Sequence, residues 1–193
     1  EVATGQVHIG YKAGYANKTG TGAVAIGYEA MGGTAGTQEG SGIAIGYRAM
    51  FEVEDGSQGV AIGNSALDHL VGQGSVAIGQ QAGFYATGSY NTFVGQDAGK
   101  GGTTSAPFSS GQYNTAVGYQ ALDAFTTGHS NIAIGPAAGG SITTGNYNTI
   151  IGRIAGSSLT NNEGNVLIGD GAGNGMNSGE NSNVIVGFSA GYS

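Results

Sequence analysis

A four-residue string that ends in Ile-Gly or Val-Gly recurs along the whole chain, and no other feature limits the possible folds as strongly. We call its final glycine the anchor glycine of a unit. Successive anchors are 16 to 19 residues apart, except for one interval of 23, and each has Ile or Val before it and Ala three residues after it. Such self-similarity predicts stacked repeats. The anchors are Gly10, Gly27, Gly46, Gly63, Gly79, Gly95, Gly118, Gly135, Gly152, Gly169 and Gly187.

Side chains within the string alternate between branched and small types. Val24 and Ile26 are branched, whereas Ala25 and Gly27 are small. A period of two indicates a β-strand, and a strand with two apolar faces is covered on both of them. We expect the branched face to be buried in the core of the chain. We expect the small face to pack against sister chains around a common axis.

Each unit is too short for a βαβ crossover but has the length of one coil of a β-solenoid. The sequence therefore predicts a single all-β repeat domain over residues 1–193, with about eleven parallel coils of 16–19 residues. Further glycines mark the turns, where the absence of a side chain avoids steric strain. They follow the anchor by four residues (Gly14, Gly83, Gly99, Gly139, Gly156, Gly173 and Gly191) or precede it by seven (Gly20, Gly56, Gly72, Gly88, Gly111, Gly128 and Gly145).

Composition excludes several other classes of protein. Glycine supplies 41 of the 193 residues without a three-residue period, which argues against both long helices and collagen. There is no cysteine for a disulfide or a cysteine-based zinc site. Five basic and twelve acidic residues give a net charge of −7, so we expect no nucleic-acid partner. No apolar run approaches the ~20 residues of a membrane span, so we expect no membrane insertion.

The last six units all place asparagine four residues before the anchor. Stacked asparagines form amide ladders along a solenoid, and asparagine is also a common turn residue, so both roles remain open at this stage. Either role is structural rather than catalytic. The residues are Asn91, Asn114, Asn131, Asn148, Asn165 and Asn183.

These units resemble a known family of repeats. The strings Ser75–Gly79 (Ser-Val-Ala-Ile-Gly) and Asn91–Gly95 (Asn-Thr-Phe-Val-Gly) resemble the YadA-like head repeats of trimeric autotransporter adhesins, although the units here are longer. The segments Gly145–Gly156 and, approximately, Gly88–Gly99 are more similar to repeats of phage tail fibres and virion fibres. The resemblance implies a left-handed parallel β-roll that assembles as a homotrimer on a virion or cell surface. It transfers no catalytic residue.

Residues that could carry chemistry do not form a recognisable active site. The three histidines, His8, His69 and His129, occupy unrelated positions in their units, which argues against a stacked metal site. An acidic run in the third unit has the oxygen ligands that suit Ca²⁺, but a solvated acidic loop is the favoured interpretation. That run is Glu52, Glu54 and Asp55. We therefore predict no enzymatic activity, no metal and no cofactor.

Aromatic residues outside the regular positions are better candidates for binding. Loops inserted into repeats commonly form the binding face, so we expect the loops Phe51–Ser57 and Lys100–Ser110 to contact a host receptor. Aromatic residues at regular positions are expected to have a packing role instead. The candidate contact residues are Phe51, Glu52, Glu54, Asp55, Phe84, Tyr85, Lys100, Pro107 and Phe108.

The sequence favours a segment of a longer trimeric fibre, on a phage tail or virion surface, that extends the fibre or attaches it to the host. Its expected partners are its own copies, other virion or fibre proteins and a host-cell receptor, with glycans among the candidates. The alternative is the head domain of a bacterial trimeric adhesin, which binds host cells or matrix from the bacterial surface. A surface- or ice-binding solenoid is a third class, based on the pairs Thr126–Thr127 and Thr143–Thr144.

Overall fold

The computed structural model describes residues 5–15, 17, 21–33, 41–52, 58–69, 72–103 and 108–191. These residues contain eleven three-residue strands and no helix, and therefore no helix able to cross a membrane. Each strand ends directly before a predicted anchor glycine. The strands are β1 (Val7–Ile9), β2 (Val24–Ile26), β3 (Ile43–Ile45), β4 (Val60–Ile62), β5 (Val76–Ile78), β6 (Thr92–Val94), β7 (Thr115–Val117), β8 (Ile132–Ile134), β9 (Thr149–Ile151), β10 (Val166–Ile168) and β11 (Val184–Val186).

The strands form one parallel sheet in which the order along the sheet is the order along the chain. Neighbouring strands pair at equivalent positions of their units, as in Ala25 opposite Ala44. The register is kept even across the longest interval, because Thr92 of β6 lies opposite Thr115 of β7. The chain thus adds one strand with each unit, and the prediction of an all-β parallel solenoid is confirmed.

The predicted roles of the two strand faces are wrong. The residue at the centre of a strand points into the solenoid, and Ala25, Ala61 and Ala116 are fully buried within the single chain. The branched residues on either side point outward, and Ile43 and Ile132 are 38% and 40% exposed. A coil of this length encloses little space, so most strands place a small residue inside, and the β-branched residues at the two flanking positions point outward. The buried small face cannot contact sister chains.

Core volume is divided between two positions of each unit, the centre of the strand and the fourth residue after the anchor. Where the first is small, as at Ala116, the second can hold a large buried residue such as Leu122. Where the first is large, as at Phe93, the second is glycine, and a Cβ added to Gly99 would overlap the Phe93 ring. No described unit has a large residue at both positions. These two positions together therefore accept one large side chain per unit.

The anchor glycines adopt positive φ and stack on one another. Their φ values lie between 127° and 139°, a region that other residues rarely adopt. A Cβ added to Gly118 would lie 2.7 Å from the carbonyl oxygen of Gly135, and every other anchor from Gly10 to Gly169 would meet the next anchor at under 3 Å. At Gly187 the nearest atom to such a Cβ is the Ala190 Cβ, at 3.5 Å. Backbone conformation and close stacking together explain the glycine at this position.

The asparagine ladder is confirmed. In each step, the backbone N–H of one asparagine donates to the side-chain oxygen of the asparagine one unit earlier, as from Asn131 to Asn114 and from Asn148 to Asn131, both at 3.0 Å. The side-chain amide of Asn131 also donates to the Gly145 carbonyl of the return turn at 2.8 Å. All ladder members except Asn183 are buried. The ladder therefore joins the strand of one unit to the turns of its neighbours.

Candidate functional site

The structure brings aromatic residues of three units together at one corner, where His69, Phe84 and Tyr85 lie five or six residues after their anchors and Phe108 lies near the end of the long insertion. The His69 ring centroid lies 5.2 Å from that of Phe84, 5.7 Å from that of Tyr85 and 4.5 Å from that of Phe108. The centroid distances from Tyr85 to Phe84 and to Phe108 are 4.5 Å and 5.8 Å. All four side chains are half-buried. We call them the His69 cluster. Three of its members were predicted as contact residues.

Hydrogen bonds hold the His69 cluster in place. His69 Nδ1 lies 3.1 Å from the Phe84 carbonyl oxygen. The Tyr85 N–H donates to the Lys100 carbonyl at 2.7 Å, and the Ser109 N–H donates to the Tyr85 carbonyl at 3.0 Å. These bonds attach the end of the long insertion to the preceding unit. The position of Phe108 is therefore fixed by the backbone beside it.

Charged residues of the third and fourth units border the cluster. His69 Nε2 lies 3.5 Å from Glu52 Oε2, and His69 Nδ1 lies 3.8 Å from Asp68 Oδ1. Arg48 Nη2 lies 3.6 Å from the same Asp68 oxygen, while the Arg48 guanidinium lies 3.9 Å from the centroid of the Phe51 ring. The predicted contact residues Phe51 and Glu52 thus adjoin the His69 cluster and do not form a separate site.

Asp68 is the buried acid of this group. Its side chain has no exposed surface, and neither carboxylate oxygen has a hydrogen-bond partner. Burial raises the pKa of Asp68 above its ordinary value of 3.8 because it disfavours the charged form, while the neighbouring Arg48 acts in the opposite direction. Asp68 therefore lies beneath the surface that a ligand would meet. That surface consists of the aromatic rings and the exposed Glu52.

The remaining predicted contact residues fall into two groups. Lys100 Nζ lies 3.4 Å from Asp97 Oδ1 and is half-buried at the corner of the next unit. Glu54, Asp55 and Pro107 lie outside the described residues, so of the acidic run that was considered for Ca²⁺ only Glu52 is described. Within the described part of the chain, no three acidic or histidine side chains are grouped closely enough to hold a metal ion.

Neither Asp68 nor His69 was among the predicted contact residues, and His69 was considered only as a metal ligand. The His69 side chain is only 16% exposed. A signal was present in the repeat, because Phe51, Asp68, Phe84 and Lys100 each lie five residues after an anchor. Residues at the same position of successive units stack in one column. Aligning the units on their anchors would have placed all four residues at one corner.

The outward face of the sheet is a second candidate surface, which we call the outer sheet face. It carries 19 Val or Ile residues and three Thr residues at the first and third positions of the strands. Beside it, Tyr11, Tyr28 and Tyr47 stack with centroid distances of 5.1 Å and 5.3 Å. Single exposed apolar residues are ordinary, but a contiguous apolar strip marks an interaction site. Its more exposed members include Ile43, Ile78, Ile132 and Ile134, at 38–40%.

The chain matches no protein-family model, no curated protein and no solved structure. Its function is therefore inferred from its own two surfaces. The outer sheet face is long and apolar, whereas the His69 cluster occupies one corner and combines aromatic rings with charged neighbours. Two surfaces that differ so much in extent and chemistry suit different partners.

Proposed function

We propose that the protein is a structural and attachment segment of a homotrimeric surface fibre, on a phage tail or virion. The observation that carries this proposal is the outer sheet face, an apolar strip that extends along all eleven strands. A single chain leaves this strip in water, whereas parallel copies around a common axis bury it on every chain. The proposal includes left-handed coiling, which rests on the resemblance to YadA-like repeats.

Burial of the outer sheet face would strongly favour association. Complete burial of a Val or Ile side chain is worth roughly 1.5–3 kcal/mol, so a side chain exposed by about 40% contributes roughly 0.6–1.2 kcal/mol when it is covered. Over the 19 branched residues of the face, the total is on the order of 10 kcal/mol per chain. A gain of this size offsets much of the entropy lost on association.

The His69 cluster supports the attachment role. The repeat does not require aromatic residues at this corner, yet Phe84, Tyr85 and Phe108 meet there with partly exposed rings. Aromatic rings beside an exposed carboxylate form a surface with both apolar and polar contacts, which is typical of recognition sites. We therefore place the contact with a host-cell receptor at this cluster and the adjoining loops.

The alternative is the head of a bacterial trimeric adhesin, and the Ser-Val-Ala-Ile-Gly string at Ser75–Gly79 favours it. Both proposals use the same outer sheet face and the same cluster. The coding sequence on either side of this segment distinguishes them. A chaperone-like domain after the segment indicates a phage fibre, whereas a coiled-coil stalk with a membrane anchor indicates an adhesin.

Light scattering of the purified chain tests the trimer. The expected mass is three times the 18.9 kDa of one chain. Replacing Ile132 and Ile134 by lysine places charges on the outer sheet face and is expected to yield monomers. The matched control, Ser141→Lys, adds a charge at an exposed turn and should leave the mass unchanged. A wild-type protein that is monomeric at all concentrations would refute the trimer.

A further inference from the structure

A column of tyrosines lies at the corner five residues before the anchor. Tyr90 and Tyr113 stack there in successive units with their ring centroids 5.4 Å apart. Tyr147 occupies the same position two units beyond Tyr113, and the unit between them has Ser130 instead. The three tyrosines are 52%, 59% and 64% exposed. They contribute little to the core of the chain.

The backbone at this corner does not favour tyrosine. Tyr90, Tyr113 and Tyr147 have φ values of 58–59°, in the left-handed region. Other units place glycine at this position, as at Gly74 and Gly164, with φ values of 66° and 68°. A non-glycine residue held in this region costs about 1 kcal/mol or more. Exposed side chains that bring strain and little burial indicate a role other than stability.

Ser130 leaves a slot between the rings of Tyr113 and Tyr147. The slot has a volume of about 320 Å³, at the lower end of the ~300–1,000 Å³ typical of ligand pockets. Its walls are two units apart, roughly 9–10 Å, so a ring inserted midway would lie within stacking distance of both tyrosine rings, beside the His129 ring whose centroid is 5.0 Å from that of Tyr147. Such spacing suits one six-membered ring. Tyr90 and Tyr113, which are one unit apart in the same column, already stack with their ring centroids 5.4 Å apart, about half the distance between the walls of the slot.

The rest of the slot is polar and has no carboxylate, lysine or arginine side chain in its lining. Ser110, Gln112, Thr127, Ser130 and His129 line it. His129 is held by its backbone N–H, which donates to the Asn146 side-chain oxygen at 2.9 Å, and its ring meets the Tyr147 ring edge-on with centroids 5.0 Å apart. Hydroxyl, amide and imidazole groups both donate and accept hydrogen bonds. This lining fits an uncharged ligand rich in hydroxyl groups.

We propose that this slot binds one neutral pyranose residue of a glycan. The apolar C–H faces of the sugar ring would stack on Tyr113 and Tyr147, and its hydroxyl groups would meet the polar lining. The proposal deepens the proposed attachment function, since it names a ligand class. It nevertheless needs no trimer, because a single chain forms the slot. It is also separate from the His69 cluster.

Saturation-transfer NMR on the full chain tests the slot with the methyl glycosides of glucose, galactose, mannose, N-acetylglucosamine and N-acetylgalactosamine. At least one probe is expected to bind saturably. Ser130→Tyr continues the column into the slot and is expected to weaken binding at least tenfold. The substitution suits the backbone, because Ser130 has a φ of 56° against 58° at Tyr113. The control Tyr90→Ser removes a ring outside the slot and is expected to change affinity less than twofold.

Nitration of the tyrosines, read by peptide mass spectrometry, tests the alternative that a sister chain fills the slot. Tyr113 and Tyr147 are expected to react in the free protein and to be protected by the bound probe. Protection without any probe would overturn the proposal, as would wild-type affinity in Ser130→Tyr or the failure of all five probes to bind. Light scattering of the same samples distinguishes a failure of the slot proposal from a failure of the trimer proposal. A trimer that binds no probe refutes the slot alone, whereas a monomer that binds refutes the trimer alone.

Discussion

Exchanging the large and the small core residue of one unit tests how the solenoid interior is packed. Phe93 is fully buried at the centre of β6, and Gly99 follows the anchor of that unit with a φ of 53°. Leu122 occupies the equivalent position of the next unit with a φ of 52°. The double variant Phe93→Ala with Gly99→Leu would therefore reproduce the arrangement that Ala116 and Leu122 already have.

The expected losses follow from these contacts. Phe93→Ala alone is expected to lower the free energy of unfolding by about 3–5 kcal/mol, because it removes a buried ring and leaves a cavity. Gly99→Leu alone is expected to cost about 1–3 kcal/mol or more, because the Phe93 ring occupies the required space. In the double variant the new leucine fills the cavity, and the loss falls to about 1–2 kcal/mol. The remaining loss arises because Phe93 also fills space beside Gly83, 2.8 Å from where a Cβ would lie.

Guanidinium denaturation of the wild type, both single variants and the double variant measures these losses. All samples are compared at one protein concentration, because the stability of an oligomer depends on it. We expect a favourable coupling energy of at least about 2 kcal/mol between the two substitutions. Losses that simply add, with a double variant less stable than either single one, would refute the idea that the two positions share one volume.

Three further predictions concern the anchors, the ladder and the buried acid. Gly118→Ala is expected to lose about 2–6 kcal/mol through positive-φ strain and contact with the next anchor, whereas Gly187→Ala, with nearly the same φ but only an ordinary van der Waals contact, loses about 1–3 kcal/mol. Equal shifts in their denaturation midpoints would contradict the role of close stacking. Asn131→Ala is expected to cost about 1–3 kcal/mol and to accelerate hydrogen exchange of the Asn148 N–H, which loses its acceptor, so unchanged exchange would argue against the ladder. Burial raises the pKa of Asp68 above 3.8, so the folded protein binds this proton more tightly than the unfolded chain, and stability falls as the pH rises from about 3.8 through the folded pKa. Asp68→Asn should remove that part of the pH dependence of unfolding, and an unchanged slope would show that another group causes it.

Much of the fold could be predicted from the sequence because the backbone itself is periodic. Glycines at fixed spacing, such as Gly118 and Gly135, mark where coils approach each other, and the residues before them mark the strands. From the sequence, the role of the asparagine column could be narrowed to two alternatives, an amide ladder or a turn. The ladder and the turn proved to be the same arrangement, since Asn131 bonds both to its neighbour in the ladder and to a turn carbonyl.

The orientation of the strands could not be read from alternation alone. A period of two defines two faces, but it does not say which face is enclosed. The width of the coil decides this, and a coil of 16–19 residues accepts Ala25 inside more easily than Ile26. The consequence is large, because the proposed trimer contact lies on the outer sheet face and not on the alanine face.

The candidate site could be predicted only in part. Phe84, Tyr85 and Phe108 were identified because they depart from the repeat, but the same criterion passed over Tyr113 and Tyr147, which recur regularly. Regular spacing was interpreted as a packing role, yet both rings are more than half exposed. Exposure and backbone strain are properties of the folded coil. They distinguish a column of aromatic residues that packs against the protein from a column that is accessible to a ligand.

The unbroken pairing of β6 with β7 also bears on how such a chain could be redesigned. Twenty-three residues separate their anchors instead of the usual 16 to 19, yet Thr92 still lies opposite Thr115. Loop length and strand alignment are therefore independent at this corner. A foreign peptide grafted between Gly101 and Ser109 should leave the strands in place, so the rod can serve as a rigid carrier whose displayed segment is chosen freely.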